Sequence, residues 1–137
     1  MTFNDIAIRI NAYEQTIKTL GNEKVKGQPL IRELAIGRTK QEAFEVARKP
    51  LLAKYESYAT WGQTDTKKER TLSDTFEEFC RDRFIIGDEQ EVVDEILKYK
   101  ESFGVDNLLV RVQWPGLGQG EVLKTLDHLG KIIATVS

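Results

Sequence analysis

The sequence has 137 residues, of which 40% are hydrophobic and 31% are charged, with a formal net charge of −2 and a pI near 5.5. This is the length of one domain with a core, and the charge excludes a general binder of the nucleic-acid backbone, which needs a clustered basic excess. Cys80 and His128 are the only cysteine and histidine, so we expect no disulfide within the chain and no metal site. The sequence shows neither a signal peptide nor an apolar run of roughly 20 residues, so we expect a cytoplasmic protein without a membrane partner.

The chain begins with a predicted helix and a predicted strand. Asn4 or Asp5 is the expected cap of this helix and Gly21 its end. The helix has one apolar stripe at steps of four and three, formed by Ile6, Ile10, Tyr13, Ile17 and Leu20. The run LIRELAIG at 30–37 then mixes branched apolar residues with two charges and stops at a glycine, which predicts a short strand.

A second helix, a loop and a short helix are predicted next. Thr39 and Glu42 form a capping box, and the helix that follows is expected to break or kink at Pro50 and to continue to about Trp61. Residues 63–74 are charged and aperiodic, which predicts a mobile loop. The runs FEEFCRDRF and RFIIG indicate a short helix and a turn or brief strand.

The last third predicts a helix, a strand and a closing helix. Asp88 and Glu91 cap the first of these helices, and Gly104 ends it. NLLVRVQ is apolar enough to predict a mostly buried strand. The closing helix has a predicted stripe of Val122, Leu126, Leu129 and Ile133.

The alternation of strands and helices predicts parallel βα units. Two or three strands cannot form a closed sheet, and the edges that remain would be unpaired. We therefore expect either a second copy of the chain to supply the missing edge or a larger barrel or sheet to include this segment.

Two long stretches of the sequence resemble a known family. PLIRELAIGRTKQEAFEVARKPLLAKYESYATWGQ and DRFIIGDEQEVVDEILKYKESFGVDNLLVRVQWPG are similar to the C-terminal part of the bacterial luciferase-like monooxygenases. The resemblance covers nearly the whole chain and depends on the order and spacing of YATWGQ, GDEQEV and QWPG. None of these is a short catalytic signature.

The resemblance implies an α/β fold, namely part of a (β/α)8 TIM barrel that uses reduced FMN or, in some branches, a deazaflavin. Residues 5–21 match the sixth helix, 30–36 the seventh strand, 107–113 the eighth strand and 121–134 the closing helix. Nothing matches the first six strands, although such a barrel normally needs about 250 residues. The chain is thus interpreted as one domain, 1–137, holding roughly the last two βα units.

The end of the eighth strand carries the candidate cofactor-binding residues. Residues at the carboxyl ends of barrel strands face the active site. The resemblance implies that Trp114 supplies a flat apolar wall for the flavin, Gln113 a hydrogen bond to the ring edge, and Arg111 a charge at the barrel mouth. Gly116 is a further candidate, because a glycine-rich turn before a helix exposes N–H groups that bind phosphate. A simple turn after Pro115 is the favoured alternative.

Other chemistry-bearing residues favour structural roles. His128 is expected on the surface or partly packed, and Cys80 as a small buried hydrophobe, although nearby arginines can lower a thiol pKa. Arg32 and Glu33 alternate along the predicted strand, so one can face the barrel interior and the other a helix. A charge inside the barrel needs a partner, and a buried structural pair is the alternative.

Two hypotheses for function follow. One is a flavin-dependent monooxygenase whose isolated C-terminal part is incomplete as an enzyme and acts on a small-molecule substrate that the sequence does not define. The other is a non-catalytic barrel remnant that self-associates as an interaction module. The partners expected are a second copy of the chain or a complementary barrel chain.

Overall fold

A three-stranded parallel sheet is the centre of the fold in this computed structural model, which describes residues 1–24, 29–61 and 76–137. The strands are β1 (Pro29–Ile36), β2 (Ile85–Gly87) and β3 (Asn107–Arg111), and their order is β2-β1-β3. All pairs are parallel, as the alternation of elements predicted.

Helices connect and flank the strands. Each strand is preceded and followed along the chain by a helix, which is the connection that parallel strands require. They are α1 (Phe3–Leu20), α2 (Lys40–Thr60), α3 (Phe76–Cys80), α4 (Glu89–Phe103) and α5 (Gln119–Val136).

The two faces of the sheet bury different helices, because successive side chains of a strand point to opposite sides. Leu34 and Ile36 pack against α1, α4 and α5, a side we call the outer face. Ala35 packs against α2, α3 and Trp114 on the opposite side, the inner face. The inner face therefore holds the residues that the sequence placed at a candidate site.

Caps define the helix ends as the sequence indicated, with one correction. Asp88 and Glu91 form the predicted capping box of α4. In α1 the N-cap is Thr2, and Asp5 is its capping-box partner three residues later, so the prediction of Asn4 or Asp5 as the cap was wrong. Gly21 and Gly104 end α1 and α4 in left-handed conformations with φ of 71° and 62°.

The helix α2 continues through Pro50 without a break and ends at Thr60, close to the predicted end near Trp61, while a kink at Pro50 stays a prediction. The Oγ1 of Thr39 accepts a hydrogen bond of 3.1 Å from the N–H of Glu42, which is half of the predicted capping box. Pro50 itself is buried. A proline interior to a helix loses one hydrogen bond, and packing of the α2 face that holds Ala47 and Leu51 offsets that loss.

Burial differs from the prediction in two elements. β3 alternates between exposed and half-buried residues and is not mostly buried, because it is an edge strand of the described sheet. In α5 the buried residues are Val122, Thr125 and Ile132, while Leu126 and Ile133 of the predicted stripe are 44% and 55% exposed.

Of the turn or brief strand predicted at RFIIG, the strand is observed as β2, and the short helix predicted at FEEFCRDRF is α3, which covers FEEFC. The predicted mobile loop at 63–74 lies outside the described residues. Within the described part of the chain, the helices are too short or too polar to cross a membrane.

Candidate functional site

Three charged side chains from three elements meet on the inner face of the sheet. Glu33 and Arg111 are register partners on β1 and β3, so they lie side by side. One Nη of Arg111 donates to Oε1 of Glu33 at 3.2 Å, and the ammonium of Lys54 on α2 donates to the same oxygen. We call Glu33, Lys54 and Arg111 the inner-face charge cluster.

The members of this cluster differ in exposure. The side chains of Glu33 and Lys54 are 9% and 8% exposed, whereas that of Arg111 is 46% exposed. One buried carboxylate therefore faces two cations, and the donors that Arg111 does not use for Glu33 remain accessible to a solute. The cluster is suited to binding an anion or a group with several acceptors, because guanidinium donors form a fixed planar fork.

Two tyrosines complete the surroundings of Lys54. Its Nζ lies 5.5 Å from the ring centroid of Tyr58 and 6.0 Å from that of Tyr55, at cation–π distances. Burial, followed by the charge of Glu33, raises the pKa of the Tyr55 phenol. Tyr55 thus stays protonated in the ordinary pH range and is a packing residue with a hydroxyl.

Arg32 lies on the opposite side of β1 from the cluster and is not the partner of Glu33. It donates to the backbone oxygens of Met1 at 2.9 Å and Asp82 at 3.4 Å, and its guanidinium lies 5.2 Å from the ring centroid of Tyr99. The sequence left two alternatives for Arg32 and Glu33, side chains on opposite faces of β1 or a buried structural pair. The structure shows the two side chains on opposite faces. The hydrogen bonds of Arg32 therefore connect the residue before α1 and the turn before β2 to the sheet.

The candidates after β3 are in contrasting environments. Gln113 is exposed, whereas Trp114 is 3% exposed and packs in the core of the inner face with Ala35, Leu51 and Phe84. The indole Nε1 is buried without a hydrogen-bond partner among the described residues. Trp114 therefore has no open face in this conformation, so it is part of the core rather than a free wall.

The glycines after Pro115 form a turn. Gly116 has a φ of 89°, a region that L side chains rarely adopt, and the N–H of Leu117 donates to the oxygen of Trp114 at 3.1 Å. Gly118 is the N-cap of α5 and has no side chain to cap it. These features support the interpretation as a turn; a phosphate site there stays a prediction.

The other singled-out residues have structural partners. Nδ1 of His128 lies 2.7 Å from a carboxylate oxygen of Glu89, which connects α5 to α4, and the imidazole is 16% exposed, as expected of a partly packed residue. Cys80 is buried, and burial raises its thiol pKa, against the effect of nearby Arg83. Groups of acidic, cysteine or histidine residues able to hold a metal are absent from the described residues.

No family model and no curated protein matches this sequence. Solved structures do match. A monooxygenase, RslO1 from Streptomyces bottropensis, is 11% identical with a TM-score of 0.71, over 98% of this chain and 39% of its own. The oxygenating constituent of 3,6-diketocamphane monooxygenase from Pseudomonas putida, a type II Baeyer–Villiger enzyme in complex with FMN, is 14% identical with a TM-score of 0.66, over 92% of this chain and 38% of its own.

The chain shares its fold with part of these two monooxygenases. It spans about two fifths of the length of each. Nearly all of this chain is included in the match, so its strands and helices follow the arrangement of part of a larger fold.

Lys54 is the cluster residue that the sequence did not single out. Its position on α2 carries no motif, and a lysine in a helix is ordinarily a solvated side chain. The available signal was indirect: a glutamate within an apolar strand requires a cation from elsewhere in the chain.

Proposed function

We propose that this chain is the C-terminal part of a luciferase-like (β/α)8 barrel, a flavin-dependent monooxygenase that binds FMN. Residues 1–137 form one domain holding the last two βα units, and a complementary barrel segment supplies the first six strands. The observation that carries the proposal is the shared fold over nearly the whole chain with an enzyme solved in complex with FMN. Alone, the chain is incomplete as an enzyme.

The residues at the end of β3 fit the chemistry of a flavin. FMN has an aromatic ring, a ring edge rich in acceptors and an anionic phosphate. Half-exposed Arg111 and exposed Gln113 offer donors, while Ile31 and Leu109 on the same face are 51% and 45% exposed and offer apolar contact. Buried Trp114 supports the turn from beneath rather than contacting the ring.

When bound, reduced flavin supplies the reactivity toward oxygen, and the protein contributes binding and orientation. Arg111 would donate to an acceptor of the cofactor with the N–H groups that Glu33 leaves free. Glu33 holds the guanidinium and is itself paired with Lys54, and a side chain held by a partner loses less entropy on binding. Gln113 would donate its amide N–H to the ring edge.

A second candidate is a non-catalytic barrel remnant that self-associates. The observation that favours it is the incomplete cover of the sheet: Ile31 and Leu109 are large apolar side chains paired in register and both about half exposed. Such exposed apolar surface is typical of an interface. This candidate requires no cofactor.

Titration of FMN with the purified chain, followed by quenching of flavin fluorescence, tests the first proposal. We expect saturable quenching, and we expect Gln113→Ala to weaken it about fivefold because one hydrogen bond is worth about 1 kcal/mol. Gln15→Ala, an exposed glutamine on α1 away from the end of β3, is the matched control and should bind like the wild type.

Absence of saturable quenching would contradict FMN binding by this chain. Equal effects of Gln113→Ala and Gln15→Ala would contradict the location of the site. A deazaflavin titrated in parallel distinguishes the two cofactor classes that the resemblance implies.

A further inference from the structure

Two neighbouring aromatic rings lie at the end of α2, beside the inner-face charge cluster. Lys54, Tyr58 and Trp61 follow one another at steps of four and three, so they share one side of the helix. The N–H of Trp61 donates to the oxygen of Ser57 at 3.1 Å, which continues the helical turn. The ring centroids of Tyr58 and Trp61 are 6.1 Å apart. We call Tyr58 and Trp61 the aromatic pair of α2.

The outer ring of this pair is open to solvent. Trp61 is 68% exposed, and within the described part of the chain its ring contact is with Tyr58. Tyr55 of the same helix instead contacts the rings of Phe79 and Phe84 in the core of the inner face. Tyr55 is therefore a packing residue, whereas Trp61 keeps a large, flat, apolar surface accessible. Covering such a surface with another ring is favourable.

The aromatic pair is continuous with the inner-face charge cluster. Nζ of Lys54 lies 5.5 Å from the ring centroid of Tyr58 and donates to Oε1 of Glu33. The same oxygen accepts from Arg111, so an unbroken line of contacts begins at Trp61 and ends at Arg111. Glu33 compensates the buried ammonium of Lys54, and the half-exposed guanidinium is the cation of this line that a ligand can reach.

The length of this surface suits a fused ring system. Trp61 follows Lys54 by seven residues, which is about 10 Å along a helix that rises about 1.5 Å per residue. Three fused six-membered rings have a comparable length, so one flat molecule that rests on the aromatic pair also reaches the charge cluster. The flavin ring is such a molecule, with acceptors along one edge. Indole and phenol rings stack on flat rings with an offset.

We propose that the aromatic pair of α2 binds the flavin ring by stacking, with the acceptor edge of the ring toward Arg111. The resemblance gave the role of a flat wall to Trp114, which is 3% exposed and lies in the core of the inner face. Trp61 has the open ring that this role requires. The proposal rests on the proposed binding of FMN and adds the residues that select a flat ring.

Fluorescence titrations of two flavins with the purified chain test the proposal. FMN is compared with lumiflavin, which has the ring but no phosphate. We expect Trp61→Leu to raise the dissociation constant of both flavins about fivefold, because it removes one stacking contact. Tyr13→Leu is the matched control, since Tyr13 is a partly exposed aromatic residue on α1, which packs on the outer face.

The fluorescence that remains at saturation is a readout that a merely structural role of Trp61 would not change. An indole in contact with an excited flavin ring quenches it by electron transfer, whereas a phenyl ring does not. Trp61→Phe should therefore keep the dissociation constant within about twofold, because a ring is still present, and should leave more fluorescence at saturation than the wild type. Circular dichroism should be unchanged in both variants, because Trp61 is exposed.

The possible results separate this proposal from the binding of FMN. If FMN binds and Trp61→Leu weakens it no more than Tyr13→Leu, the role of the aromatic pair is overturned and FMN binding stands. An unchanged fluorescence at saturation in Trp61→Phe has the same meaning. If lumiflavin binds in a way that depends on Trp61 but FMN does not bind, the aromatic pair is supported and FMN binding is overturned. If neither flavin binds, both proposals are overturned.

Discussion

At the scale of single residues, the inner-face charge cluster is the feature that the sequence only half indicates. A carboxylate within an apolar strand requires compensation, and the sequence shows Glu33 but not its partners. Arg111 becomes a partner because β1 and β3 are adjacent in the sheet, and Lys54 because α2 crosses the inner face. Both facts belong to the tertiary structure.

Breaking the buried part of the cluster should be costly. Lys54→Met leaves the Glu33 carboxylate with only Arg111, so we expect the free energy of unfolding to fall by about 3 kcal/mol, as for other buried pairs that lose one member. The double variant Glu33→Gln with Lys54→Met should lose less than the sum of the single losses. Urea denaturation of the four proteins measures this coupling.

Lys124→Met is the matched control for that cycle. Lys124 pairs with Glu121 on the surface of α5, where the two side chains are 62% and 37% exposed. Solvent screens such a pair, so we expect little change in stability. Additive losses for Glu33 and Lys54 would contradict the coupling within the cluster.

At the scale of elements, local sequence signals located helix ends well and burial poorly. The Asp88 and Glu91 capping box and the Gly104 C-cap depend on atoms within one or two turns, so a pattern of letters suffices. Pro50 does not break α2, because the local cost of a proline within a helix is offset by the packing of Ala47 and Leu51 in the core of the inner face. The sequence predicted too much burial for β3, because the apolar residues of a strand do not show whether it pairs with one neighbouring strand or with two.

The N-cap of α4 can be tested directly. Asp88→Ala removes the carboxylate that accepts a hydrogen bond from the N–H of Glu91 at 2.9 Å. We expect a loss of about 1 kcal/mol in the free energy of unfolding, measured by urea denaturation.

Asp94→Ala is the control for this change. Asp94 is an exposed residue in the interior of α4, away from the N-terminal N–H groups. The same substitution there removes a charge without removing a cap, so its effect should be smaller. If Asp94→Ala lowered the free energy of unfolding as much as Asp88→Ala, the loss of a negative charge and not the loss of the cap would explain both effects.

At the scale of the whole molecule, the two sides of the sheet bury separate cores. The core of the inner face contains Tyr55 and Cys80, and burial raises the pKa of both groups above their ordinary values of 10.0 and 9.0. The folded chain therefore keeps protons that the unfolded chain releases. Below pH 9 both states hold them, so neither group affects the pH dependence there.

Stability should consequently fall as the pH rises above about 9. The unfolded thiol ionises first and the phenol about one unit later, and each contributes a slope of up to about 1.4 kcal/mol per pH unit. Urea denaturation across this range measures the slope. Cys80→Ala should reduce it near pH 9 to 10, and an unchanged slope in that variant would contradict a protonated buried thiol.

The sequence by itself determined the elements, their order and their parallel arrangement, because periodicity, caps and the alternation of strands with helices are encoded in neighbouring residues. It also indicated the likeness to monooxygenases that the solved structures support at the level of fold. The tertiary structure was needed to show that Trp114 is buried, that Lys54 and Arg111 share one carboxylate, and that β3 is an edge strand of the described sheet. These facts depend on which distant residues become neighbours, and no local pattern records that.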